Sequence, residues 1–406
     1  MFVFSATNAV LASASSCKMR CELASTRESY QVFPWWTARF WTWLTGKPAP
    51  GQTPLFEPTP TLYALSAVAT YVTGLSLAVI AFRTEGPCFI LALSCGWIMA
   101  VNGARRMIST VAHQCIHGRF TGIASRDLFI ADLLAVMTLT QTAGDYREEH
   151  FNQHHRPAVF TTISDPAGAF LWRAGFKSGM SVGALWLKLF VTLLSPRFHA
   201  SFFMHRLMSL VRNLPPKFKL IAAAGGALAC WGAIELCPVT ALVFGLLFPI
   251  VVLYQISVLL EFISEHAWFV PAQRWDQPKY IHATHSWGRF CGRRTPERDE
   301  RHVALYVLSW IAWAVEHAIY HLPVRLFVIP GDLSQHDFHH RMPSTLRWTT
   351  ATYAREEDLR SGDSRWPPYQ EFWGLHNAIA HVFNGMAKTA SHVDAGTSDA
   401  ASEAEI

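Results

Sequence analysis

The chain has 406 residues, of which 51% are hydrophobic and 16% charged, and it carries a net charge of +5. Soluble globular domains average about 25% charged residues, so this composition argues against an ordinary soluble domain and favours a chain in contact with lipid. The charge gives no case for nucleic-acid binding, because no basic run interleaves with exposed aromatic residues. The eight cysteines form no CxxC pair, which argues against a rubredoxin-like or zinc-ribbon module.

The N-terminal region begins with polar, weakly patterned residues. Residues 1–16 lack the basic start of a secretory signal, and the initiating residue could be Met19 instead of Met1. Residues 31–44 combine Trp and Phe with one arginine, Arg39, which is typical of a helix that lies on a membrane interface. We therefore predict an N-terminal segment, residues 1–55, that contains an interfacial aromatic helix.

A first transmembrane hairpin is predicted over residues 61–101. Residues 61–82 form an apolar run of about 22 residues, enough to span a bilayer, and residues 88–101 continue apolar after a tight turn. The hairpin ends at Arg105 and Arg106. Because Lys and Arg concentrate in cytoplasmic loops, we expect this end, and the site that follows it, on the cytoplasmic side.

The first histidine motif follows directly, with His113 and His117 in the pattern HxxxH. This spacing places both rings on one face of a helix. With 19 histidines in the chain, chance alone predicts roughly one such pair, and His317 and His321 form another. The motif is therefore weak evidence by itself.

The second motif, HxxxHH, comprises His150, His154 and His155. Residues 127–141 before it are apolar but only about 15 residues long, so we expect them to re-enter or lie flat. On an α-helix His154 shares a face with His150, whereas His155 points about 140° away, so adjacent His154 and His155 could serve different metal ions. Neighbouring acidic residues that could accept hydrogen bonds from ligand rings, or simply form a solvated face, are Asp145, Glu148 and Glu149.

A second hairpin is predicted from residues 220–236 and 239–262. The turn at Cys237 and Pro238 has no Lys or Arg, which suits an outer loop. The basic residues 197–219 before it would face anionic head groups. The chain then returns to the cytoplasmic side at His266, which becomes a candidate metal ligand.

The third motif, HxxHH, comprises His336, His339 and His340. On a helix these rings fall within an arc of roughly 100°. Residues 303–322 before the motif are about long enough to span, but a full crossing would leave the third motif on the outer side, and charge is costly in lipid. We predict that they cap the site or dip into the membrane without crossing.

The fold class predicted from these elements is an all-α integral membrane protein, with two transmembrane helical hairpins and a cytoplasmic helical cap that holds a histidine-ligated metal site. Residues 56–386 form this membrane domain. Residues 387–406 are rich in Ala, Ser, Asp and Glu, which predicts a disordered tail.

Three motifs supply eight histidines, more than one zinc ion uses. Eight or nine nitrogens fit two metal ions, and all-nitrogen ligation favours iron over manganese or magnesium. His266 is the preferred ninth ligand, with His317, His321 and His285 as alternatives. The predicted metal ligands are His113, His117, His150, His154, His155, His266, His336, His339 and His340.

The order and spacing of the three motifs resemble those of the membrane fatty acid desaturase and hydroxylase superfamily. Glu265-His266-Ala-Trp268 and His285-Ser-Trp287 are similar to elements of its alkane hydroxylase branch, in which the histidine after Glu is a ligand. The third motif begins with His336 and not with Gln, unlike that of the front-end desaturases. The chain has no HPGG haem motif of a cytochrome b5 module.

The resemblance implies an O2-dependent oxidoreductase with two iron ions, which receives electrons from a separate donor such as ferredoxin. Its substrate would be a fatty acyl chain in the lipid bilayer, and its reaction desaturation. Hydroxylase, acetylenase, decarboxylase and ketolase reactions use the same ligand set and remain alternatives.

Two other classes of protein compete with this interpretation. A metal or proton transporter would place its histidines near mid-span, at interrupted helices, whereas these motifs lie in polar stretches just past the spans. A non-catalytic lipid-binding relative would have lost its motifs, and these are intact.

Overall fold

The computed structural model of the protein describes residues 26–236, 238–271, 280–297 and 302–389. Residues 1–25, with Met19, lie outside the described residues, as do Cys237 of the predicted outer turn and residues 390–406 of the predicted tail. The helices and strands of the described part are α1 (Ala38–Thr45), α2 (Pro60–Arg83), α3 (Gly86–Ile116), α4 (Ala124–Thr138), α5 (Ala143–Glu149), α6 (Pro166–Arg173), α7 (Val182–Leu194), α8 (Pro196–Asn213), α9 (Pro216–Leu236), α10 (Ala241–Glu265), α11 (Ile281–Thr284), β1 (Gly288–Phe290), α12 (Val303–Val328), α13 (His336–Arg341), α14 (Ala351–Ser361), β2 (Glu371–Trp373) and α15 (Leu375–Lys388). Strands β1 and β2 pair in parallel.

Within the described residues, four helices are long and apolar enough to cross a membrane: α2, α3, α10 and α12. The first three contain predicted spans. The predicted span over residues 220–236 lies in α9, which is not among the four. Helix α12 contains residues 303–322, which the sequence predicts to cap the site or dip into the membrane, and continues to Val328.

Helices α2 and α3 pack so closely that their contact has no room for side chains at three glycines, Gly74, Gly96 and Gly103. A Cβ atom at Gly74 would lie 2.3 Å from the backbone nitrogen of Ala100, and one at Gly96 would lie 2.5 Å from that of Ala78. Small residues at such contacts let membrane helices approach backbone to backbone. These glycines therefore define the geometry of the first hairpin.

The predicted interfacial segment is aromatic on two sides. Trp35 is 87% exposed and Trp43 44% exposed. Trp41 instead packs inward, with its ring centroid 5.1 Å from that of Tyr30 and 5.5 Å from that of Trp313 on α12. The segment thus presents apolar rings outward while it anchors α12.

Two apolar cores hold the histidine motifs in place. One core lies between α2, α3, α4 and α10, and the other between α6, α7, α10, α12 and α15. Ala112 of the first core immediately precedes His113, and Leu333 of the second lies three residues before His336. Because packed cores have few low-energy alternatives, they fix where the motifs emerge.

Replacing Gly74 with Ala should destabilise the first hairpin by about 1–3 kcal/mol, because the added methyl group overpacks the contact with Ala100. The measurement is the thermal midpoint of the detergent-solubilised protein. Gly183 in α7 has no atom within 4 Å of a built Cβ among the described residues, so Gly183→Ala is the matched control and should change stability by less than about 1 kcal/mol. Equal midpoints for the two variants would contradict the close-packed hairpin.

Candidate metal centre

The structure brings all nine predicted histidines together at the ends of α3, α5, α10 and around α13. Their ring nitrogens form two groups among the described residues, and within each group the candidate ligand atoms lie within 4.8 Å of one another. The first group consists of His113, His117, His150, His155 and His339. The second consists of His154, His266, His336 and His340. As the sequence predicts, adjacent His154 and His155 face different groups.

The second motif departs from the predicted α-helical geometry. On an α-helix His150 would pair with His154, yet His150 Nε2 lies 2.8 Å from His155 Nε2, and His154 joins the other group. The reason is that His150–His154 is a π-helix, and the backbone N–H of His155 donates to the carbonyl of His150 five residues earlier. Single π turns of this kind occur often at functional sites, and a second one, Arg106–Ala112, precedes His113.

The spacing of the first group fits a metal ion better than a hydrogen-bond network. His150 Nε2 lies 2.9 Å from His113 Nε2, 3.0 Å from His117 Nε2 and 2.8 Å from His155 Nε2. One ring nitrogen offers either one proton or one lone pair, so it cannot satisfy three neighbours. Nitrogens about 3 Å apart match neighbouring ligands of an ion with bonds of about 2.1 Å.

Unsatisfied nitrogens in both groups support the same conclusion. The buried His339 Nε2 of the first group and His266 Nε2 of the second have no hydrogen-bond partner among the described residues. Buried polar atoms without partners are rare in folded proteins, and one metal ion in each group would satisfy these two nitrogens. The donor set therefore fits two metal ions, and binding itself stays a prediction.

Burial keeps these histidines neutral. It lowers the pKa of His150, His339 and His340 well below the usual value, and the neighbouring imidazoles lower it further. Burial also lowers the pKa of the half-buried His117 to about 4. Neutral imidazole is the form that binds a metal, so the centre is ready for ligation at neutral pH.

One candidate ligand ring contacts a carboxylate that was not predicted from the sequence. His154 Nδ1 lies 2.8 Å from Oδ2 of Asp165, which is fully buried. Asp165 also accepts from the backbone N–H of Thr161 and of Ala167, at 3.1 and 3.0 Å. In the sequence, Asp165-Pro166 predicts only the N-cap of a helix. It does not indicate a contact between Asp165 and a histidine.

The acidic residues predicted for this role form other contacts. Asp145 accepts from Ser209 and from Asn213. Glu148 accepts from Asn152 and Glu149 from Gln141. Of the two alternatives that the sequence leaves open for these residues, the contacts favour the one without a role at the ligand rings. Sequence proximity to a motif does not determine which side chains the fold brings to its rings.

Glu265 is a second acidic side chain at the second group, in addition to Asp165. Its Oε2 lies 3.8 Å from His336 Nε2, and its Oε1 lies 3.9 Å from His266 Nε2. Arg289 Nη2 lies 3.9 Å from Glu265 Oε2, so the carboxylate has a buried cationic neighbour. Its position next to His266 in the chain is the signal that points to it.

Of the residues weighed for the ninth ligand, the geometry favours His266. His317 contacts the Tyr30 hydroxyl, at 2.8 Å from its Nε2. His321 Nδ1 accepts from the backbone N–H of Gly292, and Thr284 Oγ1 lies 3.1 Å from His285 Nδ1. None of these three rings joins a metal-binding group among the described residues.

A cavity of about 1120 Å³ reaches the centre from one side. Four histidines, from both groups, line its inner end: His113, His150, His154 and His336. Its walls include four phenylalanine rings, Phe170, Phe198, Phe202 and Phe262. The exposed Arg173 and Arg197 and the partly buried Lys188 also line it, so the cavity joins an aromatic wall to cationic groups.

Comparison with known proteins gives one family. A family model described as "Fatty acid desaturase" matches residues 87–373, which contain all three histidine motifs and His266. A search of curated proteins found no match.

Asp165→Asn should weaken metal retention by roughly 10- to 100-fold, because a partner that orients a ligand ring contributes about that much to affinity. Metal content after dialysis against a graded chelator measures the effect. Asp145→Asn is the matched control and should retain metal like the wild type, because the contacts of Asp145 are with Ser209 and Asn213. Equal retention by both variants would show that Asp165 does not orient His154.

Proposed function

Because the chain belongs to the fatty acid desaturase family, we propose that it is a membrane oxidoreductase that uses O2 and electrons from a separate donor to desaturate a fatty acyl chain. The family implies a desaturase- or hydroxylase-type oxidoreductase. The single observation that carries the proposal is the pair of histidine groups at the inner end of the cavity. Hydroxylation is the second candidate, since it would use the same histidines.

Two iron ions would be held by the two groups, five histidines for one ion and four for the other. Bound iron would supply the activation of O2 that removal of hydrogen from an unactivated C–H bond requires. Asp165 would hold His154 in one orientation, with Nδ1 protonated and Nε2 facing the ion. Ser286 Oγ, 3.0 Å from His266 Nδ1, would do the same for His266.

The cavity walls would position the acyl chain. Phe170 and Phe202, whose ring centroids lie 4.8 Å apart, present apolar surface to the cavity that the cationic groups and the histidines also line. Such a wall excludes water and holds flexible methylene groups against one side of the centre. Reactive positions would be selected by the distance along the chain from the head group to the centre.

We propose that the metal centre lies on the cytoplasmic side, with α2 and α3 as a transmembrane hairpin in the domain 56–386. Arg105 and Arg106 lie in α3, the second helix of this hairpin, shortly before His113 in the same helix. This location would let a soluble donor such as ferredoxin reach the centre. A transporter is disfavoured because the histidines cluster at helix ends and not at mid-span.

The first test is the metal content of the purified protein in detergent, with His339→Ala beside it. We expect about two iron ions per chain in the wild type and loss of iron, together with loss of activity on acyl substrates, in the variant. His376→Ala is the control, because His376 is exposed and bonded to Tyr320, and it should keep both. One zinc ion in the wild type, or full iron in His339→Ala, would overturn the proposal.

The cationic groups at the cavity predict a substrate with an anionic head group. The double substitution Lys188→Gln and Arg197→Gln should raise KM for such a substrate about tenfold, equivalent to about 1.4 kcal/mol of binding, with little change in kcat. Arg212→Gln removes an exposed charge of α8 that does not line the cavity, and it should leave KM unchanged. Equal KM values for all three proteins would contradict this role.

A further inference from the structure

A tenth histidine lies against the metal centre, on helix α11 between the two groups. The ring nitrogens of His155, His282 and His340 also lie within 4.8 Å of one another. The ring centroid of His282 is 5.4 Å from that of His340, with 17° between the planes, and 5.7 Å from that of His155, with 25° between the planes. Since His155 belongs to the first group and His340 to the second, His282 touches both.

The unpartnered ring nitrogen of His282 suits a ligand. Its Nε2 is buried and has no hydrogen-bond partner in the part of the chain that the structure describes. Buried polar atoms without partners are rare in folded proteins, and a metal ion at this place would satisfy this nitrogen.

An ordinary core histidine would look different. Histidines buried for structural reasons satisfy both nitrogens, as His199 does here through Gln255 and the carbonyl of Leu193. The ring of Phe160, with its centroid 4.3 Å from that of His282, holds the imidazole against the centre. The packing thus directs a free nitrogen at other nitrogens, which is unfavourable unless an ion lies between them.

The position of His282 relative to the cavity indicates what it would do. His113, His150, His154 and His336 line the cavity, whereas His155, His282 and His340 are not among its described lining residues. The trio therefore does not contact the space that the cavity offers to a substrate.

We propose that His282 is a tenth nitrogen ligand of the metal centre, on a side of it that does not line the cavity. The proposal rests on the proposed function, since it assumes that metal binds. His282 would thus add a nitrogen donor at a place that an acyl chain in the cavity does not reach.

The test compares purified, iron-loaded wild type, His282→Ala and His285→Ala by iron content and by X-ray absorption. His285 is the matched control, three residues along the same segment, buried and outside the groups found among the described residues. We expect His282→Ala to lose nitrogen scattering at iron and to release iron to chelators roughly 10- to 100-fold more readily, whereas His285→Ala should keep the wild-type spectrum. An unchanged spectrum and unchanged iron retention in His282→Ala would overturn the proposal.

A second variant separates ligation from packing. In His282→Gly, added imidazole should restore the wild-type X-ray absorption spectrum, because the free ring can occupy the vacated space. Loss of iron that imidazole does not reverse would mean that His282 only supports the fold. A wild type without iron would instead refute the proposed function, so the two failures are distinguishable.

Discussion

The metal centre depends on one constraint: neutral imidazole nitrogens are packed 2.8–3.0 Å apart. Each neutral ring has one proton for two nitrogens, so hydrogen bonds among the rings satisfy only some of them. The arrangement is favourable when an ion takes the remaining lone pairs, and it persists only if the segments that carry the rings are rigid. Helices α3, α5, α10 and α13 carry them, and each is fixed by an apolar core or by buried hydrogen bonds.

A buried ion-pair network fixes the third motif. Arg355 donates from Nη2 to Oδ2 of Asp337, inside the motif, at 2.7 Å and from Nη1 to Oε1 of Glu371, on β2, at 2.8 Å. Lys47, after α1, donates to the same Glu371 oxygen at 2.5 Å. Removing one member of such a network leaves a buried charge without its partner, at a cost of about 3–5 kcal/mol. The network therefore links α13 to β2 and to the N-terminal segment, and these links fix the position of the third motif.

Sequence reasoning predicted the part of the centre that depends on residue type and spacing. Family membership confirms the resemblance drawn from the motifs, and the structure gathers His266 with them, as its place after a span suggests. The features of the centre that the sequence did not predict depend on tertiary structure. The π turn at His150–His154 brings His150 next to His155 instead of His154. The spacing of the histidines in the sequence does not show that this turn contains one extra residue. Asp165 and His282 were missed because both lie outside the motifs, and the sequence does not show which distant residues the fold brings to the rings.

Helix α12 shows how far the predicted membrane topology can be argued from contacts. Asn102 Nδ2 donates to the carbonyl of Leu326, and Ser257 Oγ to that of Phe327, so the C-terminal end of α12 lies beside α3 and α10 about 12–16 Å before those helices reach the histidines. Earlier in the helix, His321 accepts from the backbone N–H of Gly292, near strand β1. The C-terminal end of α12 thus packs against α3 and α10, and residues 329–335 lead from it to the third motif. These contacts are compatible with the prediction that α12 dips into the membrane and turns back, which would keep the third motif on the same side as the other two.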